Sequence, residues 1–95
     1  MKLTPKSTAA LRAASVAPEI DLRGMETLEA VPVMERYLDS AALAGLKSVT
    51  LIHGKGTGAL RQAVQQALRR NKAVKNFRLG KYGEGESGVT VVELK

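Results

Sequence analysis

His53 is the chain's only histidine, and Lys55 and three alternating glycines, Gly54, Gly56 and Gly58, follow it directly. Imidazole titrates near neutral pH and can move protons. A lysine ammonium offers a point charge to an anion. The glycines let the backbone turn sharply and leave its N–H groups uncovered. Thr57 is placed to cap a following helix, whose unpaired N–H groups and dipole add positive potential, and Arg61 falls in that helix's first turn. This is equipment for holding a phosphate ester and breaking it. About thirty residues upstream, Asp21 and Arg23 add a carboxylate and a guanidinium. Asp21 can orient His53 or bind a divalent cation. Arg23 and Lys55 can neutralise charge that builds on a phosphate in a transition state.

Each group also has a plainer reading. His53 can be a strand-end residue bonded to a backbone carbonyl. Asp21 and Arg23 can form an ion pair that ties a strand end to a loop, and the glycines can be turn geometry. Two nucleotide sites are excluded by spacing. A Walker A loop needs G-x-x-x-x-G-K-[ST], whereas the lysine here precedes most of the glycines. The dinucleotide fingerprint needs a different strand-turn-helix spacing and a longer chain.

The elements that must position these residues follow from hydrophobic period. "EIDLRG" (residues 19–24) is a short strand. Residues 27–45 carry Val31, Met34, Leu38 and Ala41 or Ala42 at helical spacing, with Gly45 as the residue just past the end. Pro32 cannot donate a helix hydrogen bond, so the regular helix is expected to start near Val31, with Thr27 to Ala30 leading in. "KSVTLIHG" (47–54) is nearly continuous in apolar and β-branched residues, as in a buried parallel strand. Residues 57–72 repeat Leu60, Val64 and Leu68, with Arg61, Arg69 and Arg70 on the other face. "AVKNFRLGKY" (73–82) is a third strand, with Val74, Phe77 and Leu79 apolar. "GEGESG" is an acidic loop, and "VTVVEL" (89–94) a fourth strand.

The order is β-α-β-α-β-β: an α/β two-layer sandwich with a mixed four-stranded sheet. Right-handed crossovers put both helices on one face, leaving the other for the first eighteen residues or a partner chain. If the first two strands are parallel neighbours, Asp21, Arg23, His53 and Lys55 share one sheet edge, roughly 5–10 Å apart. Ligands bind at that carboxyl edge in open α/β sheets.

With 95 residues, one domain is expected, and its core must rest on aliphatic side chains because aromatics are only 3%. Residues 1–18 are expected to be a basic linker or N-terminal extension, with room for a short helical turn near Ala9 to Ala14, and residues 19–95 the domain. The chain has no cysteine, which excludes a disulfide framework and a thiolate zinc site. No run is long and apolar enough for a membrane span or signal peptide, so the expected location is cytoplasmic. Net charge is +6, and its distribution is uneven. Between Ser40 and Gly83 every charged residue is basic, including Arg69, Arg70, Lys75 and Arg78. Such a surface suits phosphates.

"IDLRG" (Ile20 to Gly24), "AGLKSVTLIHGKGTGALRQAV" (Ala44 to Val64) and "GVTVVEL" (Gly88 to Leu94) resemble the Smr domain, the small MutS-related domain. Among its variants the likeness is greatest to the C-terminal domain of bacterial MutS2 proteins, where a basic linker precedes it. The resemblance covers about residues 19–94. It implies a fold similar to the C-terminal domain of bacterial translation initiation factor three. It implies nicking of DNA with little sequence preference, helped by Mg²⁺ or Mn²⁺, in a homodimeric parent protein that suppresses homologous recombination. Rescue of collided ribosomes and cleavage of RNA are also implied for some members. By position, the motifs carried over are Asp21, Leu22 and Arg23, with His53, Gly54, Lys55 and Gly56. Pro32 departs from the expected first helix, and "GEGESG" stands where a G-G-x-G pattern is common. Two rivals stay open beside a nuclease: a non-catalytic module that docks nucleic acid or a ribosome, and a dimerisation unit that uses the open sheet face.

Overall fold

Alternating side chains give the sheet one apolar face, and two amphipathic helices cover it. The computed structural model describes residues 16–95. The expectations for residues 1–15, including the helical turn near Ala9 to Ala14, lie outside the described residues. The elements are β1 (Glu19–Asp21), α1 (Thr27–Leu43), β2 (Ser48–Ile52), α2 (Ala59–Arg70), β3 (Val74–Leu79), a 3₁₀ turn (Glu86–Gly88) and β4 (Val89–Leu94). The sheet order is β1-β2-β4-β3, with β1 and β2 parallel and the other two pairings antiparallel. The expected α/β order and mixed four-stranded sheet are both present.

The core joins Ala30, Met34, Leu38 and Ala41 of α1 to Val64, Ala67 and Leu68 of α2. Both sets pack on the inward residues Val49, Leu51, Val92 and Leu94. Packing begins before β1. Val16 lies against the core, the Tyr37 hydroxyl donates to the Ala17 carbonyl, and the Thr50 N–H donates to the Pro18 carbonyl.

Three sequence expectations need correction. Helix α1 starts at Thr27, so Pro32 lies inside it. The carbonyl deprived of a partner belongs to Leu28, which is 89% exposed, so water can replace the missing donor. Strand β2 is not buried on both faces. Val49 and Leu51 are buried while Thr50 and Ile52 are half-buried, because among the described residues no helix covers the second face. In β3, Leu79 is 40% exposed and does not join the core. Val74 and Phe77, three residues apart, would point to opposite faces of a regular strand. The register slips between Val74 and Asn76, and that bulge lets both pack inward.

Helix α1 ends in a Schellman motif. The Gly45 N–H donates to the Ala42 carbonyl and the Leu46 N–H to the Ala41 carbonyl, each at 3.0 Å. Gly45 has φ +81°, and a Cβ there would meet no atom within 4 Å. Gly45→Ala therefore costs only the left-handed conformation, about 1 kcal/mol. Thermal unfolding should shift down by about 4–8 °C; an unchanged midpoint would contradict the left-handed cap.

Candidate functional site

Parallel pairing of β1 with β2 sends both chain exits to one edge. Asp21 is opposite Ile52, and the Leu22 N–H donates to the Ile52 carbonyl at 2.7 Å. The two motifs then touch. A Cβ on Gly54 would lie 3.3 Å from the Arg23 Cγ, and Gly54 itself has φ +81°. Close approach and a left-handed backbone both call for glycine there.

Arg23 grips Asp21 with two parallel bonds, Nε to Oδ1 at 2.9 Å and Nη2 to Oδ2 at 2.8 Å. The Arg23 backbone N–H adds a third, to Oδ1 at 3.0 Å. Those side-chain bonds, then the backbone bond, hold the Asp21 carboxyl down at about 2. The pair is solvent-exposed. Asp21 does not orient His53. Its side chain is on the open face of the sheet with Ile52, whereas His53, next along β2, turns to the core. Asp21 also makes a poor metal ligand, because Arg23 occupies both its oxygens. Among the described residues no three His, Cys, Asp or Glu side chains come together. The described side chains do not by themselves make a site for a resident divalent ion.

His53 is 6% exposed. Its Nδ1 lies 2.9 Å from the Gly54 carbonyl oxygen, and its Nε2 lies 2.8 Å from the Thr90 hydroxyl. Burial pushes its pKa down, and the nearby Arg61 charge acts in the same direction, while the bond to Gly54 opposes them. The imidazole is therefore held neutral at pH 7, with both nitrogens engaged.

The loop beyond it carries donors without acceptors. The Gly88 carbonyl accepts from the His53 and Gly54 N–H groups at 3.1 and 2.9 Å. Beyond Gly54, the N–H groups of Lys55, Gly56, Thr57 and Gly58 have no acceptor among the described residues. Thr57 is not the cap residue. Gly58 takes that position with φ +87°, and the Thr57 hydroxyl accepts the Ala59 N–H at 3.3 Å. A concavity beside the loop is lined by His53, Gly56, Gly58 and Arg61, with Gly24 and Met25 opposite. A second, toward the open sheet face, is lined by Arg23, Lys55, Gly88 and Val89. The edge thus gathers Arg23, Lys55, Arg61 and a row of free amides.

Other expected contact residues lie elsewhere. Leu22 is fully buried in the core, so it cannot touch a phosphate. Arg69 and Arg70 end α2, about 16 Å along the axis from the glycine loop, and the Arg69 guanidinium carbon sits 5.9 Å from the Phe77 ring centroid. Lys75 lies in the β3 bulge near that same distant end. Arg78 binds Glu84 through two bonds of 2.8 and 3.2 Å. None of these four joins the glycine loop. Sequence reading missed Thr90 and Gly88. The signal for Thr90 was a hydroxyl at an inward position of "VTVVEL", where Val92 and Leu94 are apolar.

If Arg23 sets the acidity of Asp21, carbon-detected NMR should find the Asp21 carboxyl titrating near 2. In Arg23→Gln it should return toward the ordinary carboxylate range. The sign follows: the pair supports folding above the unfolded carboxyl value and that support fades as pH falls toward 2. An unshifted Asp21 in the native chain would rule out the bidentate pair in solution.

Comparison with known proteins agrees with this geometry. The Smr domain family matches residues 20–95. "Endonuclease MutS2" of Clostridium tetani is 60% identical over 90 residues, covering 95% of this chain and 12% of that protein. "Endonuclease MutS2" of Ruminiclostridium cellulolyticum is 62% identical over 84 residues, covering 88% of this chain and 11% of that protein. The chain thus spans about an eighth or less of the length of these curated relatives. Among solved structures, the Smr domain of Thermus thermophilus MutS2 superposes with a TM-score of 0.79 at 51% identity, covering 81% of this chain and 96% of that one. YdaL, a stand-alone small MutS-related protein from Escherichia coli, shares the fold with a TM-score of 0.78 at 24% identity, over 82% of this chain and 64% of that one. The chain belongs to the Smr domain family, in the form found in MutS2.

Proposed function

We propose that this domain binds the backbone of DNA at the glycine loop and cleaves one strand, with little dependence on sequence. The observation that supports this reading most is the row of acceptor-free N–H groups from Lys55 to Gly58, flanked by the side chains of Lys55 and Arg61. Hydrolysis of a phosphodiester places extra negative charge on the oxygens of a five-coordinate phosphorus. Fixed amide dipoles and nearby cations stabilise that charge more than they stabilise the ground state. Relatives named as endonucleases lend support, although the chain covers only a small part of each. No step is assigned to Mg²⁺ or Mn²⁺, because the described side chains do not by themselves make a site for a resident ion. For the whole protein, we place this cleavage in the suppression of homologous recombination, in the cytoplasm and within a homodimer.

A second reading has its own support. His53 has both nitrogens bonded and Asp21 is locked by Arg23, so neither is free to move a proton beside the amides. That favours a module that docks DNA, RNA or a ribosome without cutting.

Incubating the domain with supercoiled plasmid, with Mg²⁺ and separately with a chelator, distinguishes the two. The nuclease reading expects open-circular product, and a rate loss of about 100-fold or more in Lys55→Ala, as for removal of one oxyanion donor. Salt-sensitive binding with no nicking by any variant would establish the docking reading. In either case Lys55→Ala should lower the slope of log affinity against log salt by about 0.9. An unchanged slope would remove Lys55 from the phosphate contact.

A further inference from the structure

Thr90 is wholly buried, and its hydroxyl is bonded to the His53 Nε2. The other ring nitrogen meets the carbonyl of Gly54, the first glycine of the loop. We infer that Thr90 and His53 form a positioning clamp that orients the Gly54–Lys55 peptide, and that His53 acts in it as a neutral hydrogen-bond donor with no proton transfer to substrate. The inference deepens, and rests on, the reading of the glycine loop as a phosphate site.

The proton positions follow from the partners. A carbonyl oxygen only accepts, so Nδ1 carries the hydrogen. The neutral ring then has one lone pair, on Nε2, and the Thr90 hydroxyl donates to it. A charged imidazolium would have two donors and could not accept from Thr90. Burial beside the Arg61 charge disfavours that form.

The consequence lies in the next amide. In a trans peptide the carbonyl of Gly54 and the N–H of Lys55 point in opposite directions. Holding the carbonyl on the buried ring turns the Lys55 N–H away from the core. There it has no acceptor among the described residues. Turning the Gly54–Lys55 plane rotates ψ of Gly54 and φ of Lys55, and Gly54, at φ +81° and without a Cβ, does little to restrain its side of that rotation. The Gly88 carbonyl fixes the His53 and Gly54 N–H groups, and the ring fixes the next plane. Thr90 is thus a positioning residue that acts on the loop through His53.

The test uses the 95-residue chain and a short DNA duplex as the binding probe. Long-range proton–nitrogen NMR at pH 7 should show His53 protonated at Nδ1 and bare at Nε2. Thr90→Val keeps the shape but removes the hydroxyl. It should disturb that signature and weaken DNA binding by about fivefold, the effect of one neutral hydrogen bond. Thr90→Ser should restore both, which a loss of packing alone would not. A native ring protonated at Nε2, or at both nitrogens, overturns the clamp. So does a Thr90→Val chain that binds DNA as tightly as the native one with its ring signature changed. A native chain with the expected signature that binds no DNA overturns the phosphate-site reading instead, and the signature tells the two failures apart.

Discussion

Two parallel neighbouring strands cannot be joined by a hairpin; they need a crossover that returns the chain to the starting edge. The pairing of β1 with β2 imposes this constraint on everything around it. It requires a long crossover, supplied here by α1, it puts α1 on one face of the sheet, and it sends both strand exits to the same edge. The contact of Arg23 with Gly54 exists because of it. With β1 and β2 antiparallel, Asp21 and His53 would lie at opposite ends of the sheet, and neither motif would meet the other.

Within that edge, satisfied and unsatisfied groups are sharply divided. Asp21 with Arg23 and Glu84 with Arg78 are exposed, two-pronged pairs that hold loops in place and cancel their own charge. His53 and Thr90 are buried and satisfy each other. No buried side-chain polar atom among the described residues lacks a partner. The groups left over among the described residues at the exposed mouth are the loop amides, the Lys55 ammonium and the Arg61 guanidinium. A buried unsatisfied donor destabilises a fold, whereas an exposed one costs little and is available to a ligand. This contrast distinguishes the glycine loop from an ordinary turn. It also explains why the net basic charge alone is a poor guide, since Arg69, Arg70, Lys75 and Arg78 lie away from the loop or are already paired.

Much of this was legible in the sequence. Helical spacing of Met34, Leu38, Val64 and Leu68, the glycine at 45 and the alternation of "VTVVEL" each report local rules, and the element order follows from them. The convergence of "IDLRG" with "HGKG" followed from topology. What escaped depends on tertiary context. Pro32 inside α1 is tolerated because Leu28 faces water, a fact about the surface. The bulge that turns Val74 and Phe77 to one side is a matter of pairing with β4. The identity of the His53 partner was out of reach because Thr90 is 37 residues away and lies on a strand adjacent only in space. By charge Asp21 is the natural partner, but the pleat puts the two on opposite faces.

If the glycine loop is a phosphate site, the phosphate sits on the free amides after His53. Amide-resolved NMR during titration with a short DNA duplex tests it most directly. The largest shifts should fall at the N–H groups of Lys55, Gly56, Thr57 and Gly58, with smaller ones at Arg23 and Arg61. Shifts centred on Arg69, Arg70 and Lys75, with the loop amides unmoved, would contradict it.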